Sequence, residues 1–182
     1  MKAMIRIIDR FDLGDLFNPS LPKLKTFFYQ MDRLVGIVHD DLKKHLKEEG
    51  CSTTLFASAW FITIFSSSLK QNTEDEIVNE SLLELWDYFL CVGWRAIVKM
   101  GVYVICRDPG QLLGMPFEEI MPAINESVRK VLTQKRQDST VLYEDVHEAF
   151  SGLHFTWHMQ RLANDFDRSH EEIRTSQPER NN

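Results

Sequence analysis

Three histidines, His147, His154 and His158, fall at i, i+7 and i+11, and on one continuous helix they would line a stripe ending seven residues later at Asp165. Imidazole and carboxylate are zinc ligands, so the chemistry of such a stripe would be metal binding. The intervals span several turns, only His154 and His158 are close enough to share an ion, and Gly152 is a break point. Histidines at the solvent edge are therefore the better reading, and no metal is expected. A second cluster, His39, Asp40, Asp41 and His45, has the residue types for proton transfer, because a histidine beside carboxylates titrates near neutral pH. It has no nucleophile, and the surrounding Lys43, Lys44, Lys47, Glu48 and Glu49 make it the solvated face of a short helix. Arg129, Lys130, Lys135 and Arg136 form a basic cluster that suits anionic lipid, an acidic partner or plain solubility.

The usual signatures of catalysis do not occur. There is no Gly-rich phosphate loop, no GxSxG elbow, no HExxH and no paired CxxC. Asn79 to Ser81 and Asn125 to Ser127 match the glycosylation sequon, but both lie within predicted helices. Cys51, Cys91 and Cys106 are odd in number and widely spaced, a pattern of reduced thiols, read here as small apolar core residues. With 21 basic against 27 acidic residues, the net charge of -6 disfavours nucleic acid, which calls for an excess of Lys and Arg. No signal peptide is expected, because Arg6, Asp9 and Arg10 cut the first apolar stretch. The most apolar long window, Leu82 to Cys106, contains Asp87, Arg95 and Lys99, too many charges for a membrane span. These features lead us to expect a cytoplasmic protein, without catalytic residues or cofactor, that works by binding another protein.

The apolar periodicity is helical throughout, which places the chain in the all-α class. Leu24, Phe27, Phe28, Met31, Leu34, Val35 and Val38 predict a helix over 21–38 with Pro22 in its first turn. A short helix over 40–47 closes at Gly50. Ser52 or Thr53 caps a third, carrying Leu55, Phe56, Ala59, Trp60, Ile62 and Phe65, apolar around most of its circumference and so expected to be largely buried. Ser66 to Ser68 fray its end. A fourth helix covers 74–90, and after Gly93 a fifth presents Trp94, Ile97, Val98, Gly101, Val102 and Ile105 on one face before the breaker Asp108, Pro109 and Gly110. Gly101 marks a close helix contact. A sixth over 116–132 turns Ile120, Ile124, Val128 and Val131 inward around Pro122, and a weaker seventh over 142–166 breaks at Gly152. The polar end has no apolar face and is expected to be disordered.

Three pieces stand in a distinctive order: Leu16, Phe17, Asn18 and Pro19 before the helix carrying Phe28 to Leu34; then His45 and Leu46 followed by Phe56 to Phe65; then Leu85 to Leu90 with Gly93 and Trp94. Trp86 and Asp87 follow the Trp60 to Phe65 motif by about twenty-five residues. This resembles the C-terminal half of a TBC domain, the helical module of GTPase-activating proteins for Rab GTPases, over about residues 4–106. The division that follows is a TBC-like domain over 1–133, an additional helix over 134–168 and a tail over 169–182. The family-motif residues Phe17, Tyr29, Trp60, Phe61, Phe65, Trp86, Asp87 and Gly93 are expected to be scaffold. Asp87 would cap or salt-bridge a neighbouring helix, and Gly93 would permit a tight turn.

The resemblance implies a Rab-family small GTPase as partner, a role in vesicle traffic and peripheral attachment to endomembranes. In the family, catalysis comes from an arginine in IxxDxxR and a glutamine in YxQ. Here Ile5 to Asp12 has Asp9 without an arginine three places on, Tyr29 and Gln30 have the wrong spacing, and no RxxxW occurs. The arginine is worth three to five orders of magnitude in rate, so the chain by itself is expected to activate no GTPase. A non-catalytic helical adaptor is the alternative.

Overall fold

The computed structural model describes residues 2–16, 21–69, 76–134 and 142–176. All regular structure among them is helical: α1 (Lys2–Arg10), α2 (Leu13–Leu16), α3 (Pro22–Val38), α4 (Asp40–Glu48), α5 (Thr53–Thr63), a 3₁₀ turn (Ser66–Leu69), α6 (Glu76–Val92), α7 (Trp94–Cys106), α8 (Pro109–Leu112), α9 (Phe117–Thr133), α10 (Leu142–Glu148) and α11 (Phe155–Ser176).

The fold is built around α7. Its sequence is apolar at nearly every position, and helices α3, α5, α6, α9, α10 and α11 pack against it. The expected single face is therefore too narrow: Ala96, Met100 and Val104 are buried as well, because partners approach from several sides. A Cβ built on Gly101 would lie 2.9 Å from Met31 Sδ and 3.5 Å from Trp60, so the backbones of α7 and α3 approach closely there, as the sequence suggests. Gly93, at φ +72, makes the turn that separates α6 from α7.

Two helix starts are held by carboxylates remote in sequence. Glu49 Oε2 accepts the Phe117 N–H at 3.0 Å at the head of α9, and Glu84 Oε2 accepts the Leu142 N–H at 2.7 Å at the head of α10. Each satisfies a first-turn donor that has no partner inside its helix. Ser52 is the N-cap of α5, but its hydroxyl bonds Thr54 instead of a backbone N–H. At the other end of α5, Ile64 and Phe65 take successive left-handed conformations, and this turn brings the Phe65 ring back onto Trp60, 5.0 Å away and nearly parallel.

Several expectations need correction. One side of α5 is not buried: Leu55, Ala59 and Ile62 form an exposed stripe, since α3 and α7 cover the opposite side. The breaker at Asp108 to Gly110 does follow the end of α7 at Cys106, but it also starts a short helix, since proline is at home in a first turn. The seventh helix is broken around Gly152, as the sequence suggests, into α10 and α11 with residues 149–154 between them, and α11 runs on past the expected end at 166. The expected tail is helical as far as Ser176, and residues 177–182 lie outside the described ones. Cys51 and Cys106 are core residues, with burial pushing the Cys106 thiol up to about 12, but Cys91 is exposed.

Candidate functional site

The motif residues come together mainly as packing. Trp60, Phe61 and Phe65 are fully buried. Phe61 stacks on Phe27 at 5.3 Å, and Trp94 meets both Phe27 and Phe89. The Trp94 indole N–H donates to the Phe11 carbonyl at 2.8 Å, tying the α1–α2 junction to the head of α7. Trp86 is only partly buried and touches Phe89 edge-on. Asp87 is exposed and makes no cap or ion pair among the described residues, contrary to expectation, because it faces outward from α6 beside Tyr88, Cys91 and Tyr143. Phe17 lies outside the described residues.

Tyr29 belongs to a different setting. Its ring lies 5.4 Å from Phe166 on α11 and has the Arg33 guanidinium 5.3 Å above it. It forms one end of an open cleft of about 450 Å³ between α3 and α11. One wall carries Asp32, Arg33, Gly36 and Ile37 from α3, with Asp40 and Lys43 from α4; the other carries His158, Arg161, Leu162 and Asp165 from α11. The walls are joined beneath by Gln30, whose Nε2 donates to the Met159 carbonyl at 2.8 Å. Lys43 is paired with Asp32, and burial lowers its pKa, an effect the nearby Lys47 reinforces.

The clusters first singled out are dispersed. His147 ends α10, His154 lies between α10 and α11, and only His158 lines the cleft, so the three share no helical stripe. Among the described residues, no group of three or more metal-ligating side chains is gathered. His39 joins α3 to α4, while His45 turns away to the Met115 carbonyl, 3.0 Å distant. Asp40 pairs with Lys44 at 2.6 Å, a solvated i,i+4 contact. Arg129 holds Glu126, Lys130 is exposed, and Lys135 and Arg136 lie outside the described residues. Sequence reading missed the cleft. Its signal is the polar face of α3, with Tyr29, Asp32, Arg33 and Gly36 at helical spacing, matched by His158, Arg161 and Asp165 on α11.

The described residues form an all-helical scaffold packed around an aromatic core. Residues 1–113 match the model of the Rab-GTPase-TBC domain, and the chain belongs to that family. It is 26% identical over 119 residues to the Ecotropic viral integration site 5 ortholog of Drosophila melanogaster, covering 65% of this chain and 14% of that protein. GTPase-activating protein GYP5 of Saccharomyces cerevisiae is 24% identical over 135 residues, 74% of this chain and 14% of its own. Rab GTPase-activating protein eat-17 of Caenorhabditis elegans is 26% identical over 106 residues, 58% of this chain and 12% of its own. The chain thus spans only about a seventh of the length of the relatives it matches. No helix among the described residues is long and apolar enough to cross a membrane.

Proposed function

We propose that this chain is the C-terminal half of a TBC module that acts on a Rab-family small GTPase in vesicle traffic, working at the cytoplasmic face of endomembranes, and that alone it docks without accelerating hydrolysis. The observation that carries this is the family match over residues 1–113 in a sequence containing neither IxxDxxR nor YxQ. Two of the relatives are named as GTPase-activating proteins, which supports the partner class. Ile37, Asp40 and Lys43 keep the spacing of the first motif, but with lysine for arginine, and Lys43 is committed to Asp32. Lysine cannot supply the planar fork that arginine offers a transferring phosphoryl group. The TBC-like unit extends through residue 133 on this reading, since α9 packs on α6 and α7.

The test is single-turnover GTP hydrolysis by a panel of Rab proteins. Residues 1–182 should give no stimulation, and joining an upstream segment that bears both motifs should restore it. A rate increase of about a hundredfold by residues 1–182 alone would overturn the non-catalytic reading, being a large part of what a typical arginine finger supplies. No activation by the joined protein on any Rab would favour the adaptor alternative.

A further inference from the structure

The charges of the α3–α11 cleft are unequally committed. Each of its carboxylates has a cation of its own: Asp32 has Lys43, Asp40 has Lys44, and Asp165 has Arg168 at 2.6 Å. Arg33 makes no ion pair among the described residues and rests its guanidinium on the Tyr29 ring. On the opposite wall, Arg161 reaches Asp165 only at 3.9 Å and spreads over the Trp157 ring at 5.4 Å. The acids and bases lining the cleft are equal in number, but Arg33 keeps its guanidinium donors uncommitted among the described residues and Arg161 holds Asp165 only at long range, so two guanidinium forks at one cleft have donors left for a further carboxylate.

Beside the forks stand two apolar groups that the fold leaves in water, Trp157 at 55% and Ile37 at 46% exposure. Trp157 joins the cleft through Arg161, and Ile37 lines it directly. Tryptophan, tyrosine and arginine are the residue types on which binding energy at protein interfaces concentrates. Gly36 sits mid-helix, where alanine is the better helix former. A Cβ there would meet the Lys43 side chain at 3.4 Å and narrow the cleft.

We propose that this cleft docks an acidic peptide segment of a partner protein, seating a carboxylate between Arg33 and Arg161 and an adjacent apolar side chain against Trp157 and Ile37. Arginine forks bind carboxylates through paired, charge-assisted hydrogen bonds, which suits an occupant carrying aspartate or glutamate. The inference does not depend on the GTPase reading, since only one wall of the cleft lies within the residues matched to the family, α11 lies beyond them, and the test reads peptide binding and not hydrolysis.

The experiment is fluorescence anisotropy of the full chain with an array of labelled peptides rich in Glu and Asp, each carrying one Leu or Phe, alongside versions with Lys replacing the acidic residues. Acidic peptides should bind and their Lys versions should not. Affinity should fall as salt rises, and by at least about tenfold when Arg33→Glu is combined with Arg161→Glu. Trp157→Ala should weaken binding severalfold. The exposed variants Arg33→Gln and Arg161→Gln, checked for helix content by circular dichroism, stand in should the charge reversals unfold the chain. Unchanged affinity in the arginine variants would overturn the proposal. So would failure of every acidic peptide to bind, or retention by phosphatidylserine-containing vesicles without peptide binding.

Discussion

Gln30 on α3 and Met159 on α11 are joined inside the core by a hydrogen bond of 2.8 Å from amide to backbone carbonyl, while Gln30 Oε1 has no partner among the described residues. The bond gives orientation more than stability. A net hydrogen bond contributes about 1 kcal/mol, but a buried acceptor without a donor costs about 1–3 kcal/mol. Gln30→Leu removes both, and the Met159 carbonyl stays within the helical ladder of α11. Its stability in urea denaturation should lie within about 1 kcal/mol of the parent, whereas Gln30→Ala should cost roughly 2 kcal/mol through the cavity it leaves. A loss above about 2 kcal/mol in the leucine variant would show that the bond outweighs the orphaned oxygen.

Gly101 sets a second balance. Alanine is the better helix former by about 1 kcal/mol, but its Cβ would press on Met31, whose Sδ lies 2.9 Å from that position in a fully buried setting. Overpacking costs about 1–3 kcal/mol, so Gly101→Ala should lower stability despite the propensity gain. Met31→Ala is destabilising on its own, but in its background Gly101→Ala should cost less, giving a coupling between the two sites of at least about 0.5 kcal/mol in a double-mutant cycle. Additive losses would mean the two helices separate freely.

The two motif tryptophans should differ. Trp60 is 2% exposed between Phe56 and Phe65, so Trp60→Ala should cost roughly 3–5 kcal/mol. Trp86 keeps part of its ring in solvent and has one edge-on contact with Phe89. Trp86→Ala should then cost less, about 1–2 kcal/mol. Equal losses in chemical denaturation would place Trp86 deeper than the structure does.

Periodicity made the long helices legible. The expected spans over 21–38 and 116–132 correspond to Pro22–Val38 and Phe117–Thr133, because each carries an apolar stripe several turns long. The short elements α2 and α8 offer too few turns for a stripe to show, and α1 shows in the sequence only as an apolar stretch cut by Arg6, Asp9 and Arg10, charges that in fact stand exposed on a helix. Side selection was less visible. The apolar circumference of α5 suggested that it is largely buried, yet Leu55 and Ile62 face solvent, since which partners arrive is a property of the assembled fold. The same applies to the cleft, where Arg33 and Arg161 are remote in sequence and line opposite walls because Gln30, Tyr29, Met159 and Phe166 seat α11 on α3. Capping by Glu49 and Glu84 was likewise invisible, being the work of residues remote from the helices they start.

Lys99 gives a pH-dependent prediction. It is a buried cation on α7 whose Nζ donates to His147 Nδ1 at 3.2 Å and lies near the rings of Phe150 and Phe155, at 6.0 and 5.7 Å. Burial lowers its pKa below the ordinary 10.5, and no carboxylate appears among the causes of the shift. The native state therefore releases the proton at lower pH than the unfolded chain does. Between the folded-state value and 10.5 the unfolded chain holds more protons, so this residue's contribution to stability rises with pH across that window. Below the window both states are charged and the desolvation penalty is fully present. Lys99→Met keeps the apolar stem and removes the charge, so near pH 7 it should be more stable than the parent. The advantage should shrink as pH climbs through the window, and above 10.5 the parent lysine is neutral in both states. Paired urea melts near neutral pH and at about pH 10, inside the range where an unperturbed lysine begins to titrate, would read the difference directly. A methionine variant less stable than the parent at neutral pH would mean that the His147 bond and the two rings outweigh the desolvation of the ammonium.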